Sequence, residues 1–156
     1  MSLSDAGLAE LSLNRLAEAQ GDIPKKVLDR YYRRHPGARG SFEYHGVGDT
    51  AELEGRMVTA TLFLMLQWAE DANRTRIEQG TTIVHHHDAL EIGPQWYLGL
   101  IDAVLEVIVE SIPGTQSAEI ALWLRVRQEI ADFIESVREE FVRADNDGGL
   151  PGFRLT

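Results

Sequence analysis

The chain has no cysteine, which excludes disulfides, thiolate zinc sites, iron–sulfur clusters and a cysteine nucleophile together. Positive charge is scarce: 15 Lys and Arg stand against 25 Asp and Glu, for a net charge of −10. Such a surface disfavours a nucleic-acid backbone or an anionic membrane as partner. No apolar run is long enough to span a bilayer and no signal peptide opens the chain, so a soluble cytoplasmic protein is expected. There is no phosphate-binding loop, and Gly46-Val47-Gly48 reads as a turn. Strand alternation beyond a few residues, internal repeats and an inter-domain linker are also missing.

What remains is helix. A length of 156 residues suits one domain, 44% hydrophobic residues are enough for a core, and 26% charged residues argue against a disordered chain. The expectation is an all-α fold of six to eight helices in a single domain over residues 1–156, with a loose tail from about 145.

Leu8, Leu11 and Leu16, with Leu13 nearby, predict a short first helix that stops around Gln20-Gly21. Asp22 before Ile23-Pro24 is a start signal for a second, carrying Val27, Leu28, Tyr31 and Tyr32 and ending at His35-Pro36-Gly37. A polar, glycine-rich corner is expected from Gly37 to Asp49, with Phe42 as its large apolar anchor beside Tyr44 and His45.

Asp49 or Thr50 caps the next helix, in which Leu53, Met57, Ala60 or Thr61, Leu64 and Trp68 recur every four residues or so. From Val58 to Trp68 it is apolar almost all round, so it should be sandwiched on more than one side. Ala69 to Arg76 reads as a corner, and a histidine-bearing helix follows from about Asn73 to about Asp88. Pro94 opens a helix to about Ser111, and Ser117 caps a last one carrying Trp123, Val126, Ile130, Phe133, Ile134, Val137 and Phe141. Its last turns hold Arg138 and Arg143, where cations complement the helix dipole.

Three of the five histidines stand in a row at 85–87. Neighbours on a helix point about 100° apart, so one can face a cavity while another faces water. Ile83 and Val84 precede His87 by four and three positions and put it on the apolar side. A histidine there is more often a packed, hydrogen-bonded residue than a ligand, but a neutral imidazole on an apolar wall is also what an axial metal ligand needs. Zinc held by His85 and His87 with Asp88 or Asp71 is disfavoured, since residues two apart on a helix do not converge. Glu106, Glu110, Glu119 and Glu129 lack the Glu-x-x-His of a helical di-iron site. Asp145-Asn146-Asp147-Gly148 lacks the closing Glu of a calcium loop, and Arg125 with Arg127 reads as a solvated face.

The run from His87 through Gly93-Pro94 to Trp96-Tyr97-Leu98-Gly99 resembles the globin superfamily, and in detail the bacterial sensor globins and protoglobins. Their pattern is similar to His-x-x-x-Gly-hydrophobic-x-Pro-x-Trp-Tyr; here the glycine stands next to the proline. His35-Pro36 followed by Phe42 looks like the corner where a phenylalanine stacks on the porphyrin, and Tyr31-Tyr32 is similar to the Phe-Tyr pair whose second member donates to bound oxygen. The resemblance implies a globin fold, haem b (iron protoporphyrin IX) and His87 as the proximal iron ligand.

It further implies a slot lined by Phe42, Leu53, Met57, Leu98 and Ile101, with Arg74 or Arg76 near the propionates. The distal position falls to Tyr32, to Leu28 instead if Phe42 sets the register, or to the Leu53/Met57 face. The implied function is binding of oxygen, carbon monoxide or nitric oxide for sensing or storage, with a separate signalling partner and a homodimer through the last two helices that Leu122, Val126 and Val137 can share. An internal core explains those three equally well. The other reading is a haem-free globin-fold module with Met57, Trp68 or Trp96 turned into the slot. Peroxidase or nitric-oxide dioxygenase chemistry is expected at most as a side activity. It needs a distal polar group such as His45 or Arg56, and no reductase domain is seen to feed it electrons.

Overall fold

The computed structural model describes residues 3–19, 21–46, 48–79 and 94–146. Among them there are seven helices and no strand. The helices are α1 (Asp5–Glu18), α2 (Ile23–Arg34), α3 (Gly37–His45), α4 (Thr50–Glu70), α5 (72–79), α6 (Pro94–Glu110) and α7 (Ser117–Asn146). No described helix is long and apolar enough to cross a membrane.

The starts follow local chemistry. Ser4 accepts from the Gly7 N–H at 3.1 Å, Asp22 from Lys25 at 3.1 Å, Asp49 from Glu52 at 3.0 Å and Asp71 from Arg74 at 3.1 Å. Each side chain satisfies one backbone donor that the first turn leaves without a partner. Pro24 in the first turn of α2 costs no hydrogen bond, and His35 before Pro36 ends that helix.

Three expectations are revised. The corner from Gly37 to Asp49 is mostly helix, because Ala38 and Phe42 lie one turn apart and are both buried. That burial outweighs the helix-weakening glycines. At its end Gly46 lets α3 and α4 come close, since a β-carbon there would sit 2.9 Å from the Thr50 Cα. The corner after α4 contracts to Asp71 alone. The last helix also continues past Ala144 to Asn146, so Asp145 is part of it rather than of a loop.

The long apolar helix is sandwiched as its composition requires: α4 touches α1, α2, α3, α6 and α7. Its innermost stripe is Val58, Thr61, Met65 and Trp68, whereas Leu53, Met57 and Leu64 are only partly buried beside it, and Phe63 faces outward. The second hub, α6, packs on α2, α4 and α7. The central core is built from Met65, Ile101, Ile108, Leu122, Trp123, Val126 and Ile130, all essentially inaccessible.

Polar links fix how the layers register. The buried Ser12 hydroxyl donates to Glu119 Oε2 at 2.7 Å and accepts from the Trp123 indole N–H at 2.8 Å, while Arg15 Nε donates to the same carboxylate at 3.1 Å. This joins α1 to α7. Trp68 Nε1 donates to Glu129 at 3.0 Å and joins α4 to α7, and Arg127 grips Asp102 through two bonds at 2.8 and 3.2 Å to join α7 to α6. A buried carboxylate is tolerable only when its lone pairs are occupied in this way.

Candidate functional site

The proposed axial residue His87, with His85, His86 and Asp88, lies at 80–93, outside the described residues, and the side chains of His45, Trp96 and Tyr97 are likewise not described. What can be placed are the apolar residues named for the lining. Leu28 comes from α2, Leu53 and Met57 from α4, and Leu98 and Ile101 from α6, three helices that pack pairwise on one another. Leu28, Leu53, Met57 and Leu98 are partly buried against the core cluster, and Ile101 is within it.

α2, α3 and α4 meet in an aromatic cluster. The Phe42 ring stands edge-on to Tyr31 and to Tyr32, with centroids 6.3 and 6.0 Å away. The Tyr32 hydroxyl donates to Glu54 Oε2 at 2.6 Å, and the Arg39 guanidinium covers the Tyr32 ring at 4.4 Å. Burial first, then the hydrogen bond to Glu54 and its charge, push the Tyr32 phenol well above the ordinary tyrosine range. Burial alone pushes Tyr31 up to about 12. Tyr31 and His35 both pack on α6 at Gly99.

Glu54 and Arg39 were not among the expected site residues. Glu54 stands 22 positions after Tyr32, and no local spacing announces a partner at that distance.

Other expected roles sort clearly. Arg74 pairs with Glu78 at 2.8 Å on the surface, and Arg76 lies over the rings of Trp68 and Phe133 at 5.5 and 5.9 Å. Trp68 is buried and turned toward Glu129 on α7. Arg56 is exposed. Arg125 pairs with Asp5 and Arg127 with Asp102, so those two arginines join helices rather than form a bare basic patch. The four glutamates named together serve different contacts: Glu106 and Glu110 face Arg30 and Arg34, Glu119 meets Ser12, and Glu129 meets Trp68. No cluster of metal-ligating side chains occurs among the described residues.

An open groove of about 610 Å³ runs along the opposite side of α2, between it and α6. Arg30, Arg33 and Arg34 line it with Glu106 and Glu110, and Leu105, Val109 and Leu124 supply its apolar surface. Arg30 is held by Glu110 at 2.5 Å, and Arg34 by Glu106. Leu122 and Val126, two candidates for a subunit interface, are buried inside the chain itself, whereas Leu124 is 54% exposed.

Set against known protein families, curated proteins and solved structures, the chain finds no match.

Proposed function

We propose that this chain is a haem-binding globin of the sensor type, in which His87 holds the iron of haem b and a diatomic gas (oxygen, carbon monoxide or nitric oxide) binds on the opposite face. The observation that supports the reading is that Leu28, Leu53, Met57 and Leu98, named for the lining of the slot, are partly buried on three helices that pack pairwise. An apolar disc needs such a surface, and the thioether and branched chains present suit it. The packing is compatible with it: α1 touches α4 and α7, α2 packs on α6, and α4 contacts five other helices.

Apolar residues of this kind would suit the flat face of the porphyrin. Phe42, beside Tyr31 and Tyr32, is the aromatic that would meet its edge or face. Haem, when bound, would supply an iron able to take a gas ligand. The chain's own contribution is to exclude water and to set the polarity around that iron. The fold's outer face suggests how copies would associate: a homodimer through α6 and α7, with Leu124 in the shared surface. A separate protein would carry the signal onward.

The deciding experiment is the absorption spectrum after haem reconstitution. A Soret band is expected in the wild type, and His87→Ala should abolish five-coordinate ferrous ligation. An absent band would sink the reading and leave the haem-free interaction module, and an unchanged His87→Ala spectrum would move the ligand, with His86 first in line.

A further inference from the structure

The chain's positive charge is unevenly spread. Helix α2 carries Lys25, Lys26, Arg30, Arg33 and Arg34 against the single carboxylate of Asp29, a net +4 in a chain whose total is −10. Arg30, Arg33 and Arg34 stand at i, i+3 and i+4, so they share one face, and that face lines the groove between α2 and α6. Glu110 and Glu106 of α6 engage Arg30 and Arg34. Arg33 is exposed and has no carboxylate partner among the described residues. The floor of the same groove is apolar. Leu105 and Val109 lie one turn apart on α6 and are only partly buried, and Leu124 of α7 is 54% exposed. Single exposed leucines are ordinary, but an apolar strip bordered by an uncommitted guanidinium marks a surface built to meet something else.

We propose that this groove is a docking site for an acidic amphipathic helix of another protein, whose apolar side chains rest on Leu105, Val109 and Leu124 and one of whose carboxylates pairs with Arg33. The inference goes beyond the haem reading and does not depend on it, since none of the lining residues belongs to the expected haem slot.

Charge selects the occupant. The lining holds three guanidiniums and two carboxylates, a local excess of positive charge on an acidic chain. An acidic segment is repelled elsewhere and paired here, which fixes where it binds. A phosphate backbone needs several uncommitted cations, and two of the three arginines are already engaged. Shape decides between a helix and a small molecule. Pockets for small ligands enclose most of the ligand's surface, whereas this groove of about 610 Å³ is open. A helix laid in a groove offers apolar residues at i, i+3 and i+4 along one face and leaves its other side to water.

The test uses the full chain and three synthetic helical peptides. One has leucines at i, i+4 and i+7 flanked by glutamates; the second has lysines in place of the glutamates; the third has glutamines in place of the leucines. NMR of labelled leucine and valine methyl groups follows each titration. The acidic leucine peptide should shift the Leu105, Val109 and Leu124 methyls saturably, and the other two should bind more weakly. Arg33→Glu should weaken the acidic peptide about three- to ten-fold and strengthen the lysine peptide, a reversal that altered packing does not predict. Arg33 is exposed, so circular dichroism should show wild-type helicity. Arg33→Gln serves if Arg33→Glu does not fold.

Equal binding of the acidic and lysine peptides, no saturable shift, or shifts confined to other methyls overturns the proposal. So does laurate that moves the groove methyls where the acidic peptide does not, which assigns the groove to a small amphiphilic anion. Leu124 also stands in the dimer surface read above, so Leu105 and Val109 carry the assignment. If those two shift with protein concentration alone, the occupant is a second copy and the proposal falls. A chain that takes up no haem leaves it standing.

Discussion

Gly99 and His35 approach so closely that no side chain fits between them: a β-carbon at Gly99 would lie 2.5 Å from the His35 Nε2 and 3.1 Å from the Tyr31 ring. The crossing of α2 over α6 is set by that contact. Gly99→Ala should therefore destabilise the fold by about 1–3 kcal/mol, the usual cost of overfilling a packed contact. Thermal unfolding measures it. Because the closest atom belongs to the imidazole, His35→Ala combined with Gly99→Ala should recover part of the loss. Equal stability of Gly99→Ala and wild type would show that the helices sit further apart.

The Ser12 hydroxyl joins two groups that cannot reach water, the Trp123 indole and the Glu119 carboxylate. Ser12→Ala leaves both short of a partner. The expected loss is about 1–3 kcal/mol. It should appear as a lower urea midpoint at unchanged slope.

Alkaline pH should weaken the fold through its buried phenols. Tyr31 titrates at about 12 in the folded chain against 10.0 ordinarily, because burial disfavours the phenolate. The folded chain thus keeps its proton where the unfolded chain has lost it, and the unfolded state binds fewer protons. Stability is full below the ordinary value and is lost as pH rises from there through the folded one. Tyr32 is shifted in the same direction by burial and by Glu54. Urea midpoints measured from about pH 8 to about pH 11 should fall at the upper end, and Tyr31→Phe should flatten that fall. A midpoint independent of pH across this window would contradict the burial of both rings.

Subunit association, if it uses α6 and α7, has Leu124 in its path. Leu124→Asp should raise the dimer dissociation constant by about ten-fold or more, the effect of removing one apolar anchor. Sedimentation velocity distinguishes the species, and helicity should not change because the side chain is half exposed. A wild type that sediments as a monomer at all concentrations refutes the dimer.

The second helix was fully legible: Asp22, Pro24 and the His35-Pro36 stop are local signals, and local chemistry decides them. The third helix was not. Its glycines and polar residues argue for a loop, and only the burial of Ala38 and Phe42 in a core assembled from distant segments makes it helical. In α4 the difficulty was an excess of signal. With leucine and methionine on nearly every side, periodicity does not choose which stripe goes innermost; the choice falls to Val58, Thr61, Met65 and Trp68 through contacts with five other helices. Leu28, Leu53, Met57 and Leu98 are named for a slot through the globin resemblance, and the structure shows them partly buried beside the core; the pairing of Tyr32 with Glu54 depends on how two helices cross.

The clasp between the first and last helices has a consequence for the order in which the chain can be completed during synthesis. Ser12 meets its acceptor 107 positions downstream. At roughly 5–20 residues per second, α1 emerges from the ribosome many seconds before Glu119 and Trp123 exist. Through that interval its inner face, Ala9, Ser12 and Leu16, has only earlier helices to lean on, α4 first among them. The nascent chain should thus present a chaperone-accessible surface that closes abruptly once α7 is released.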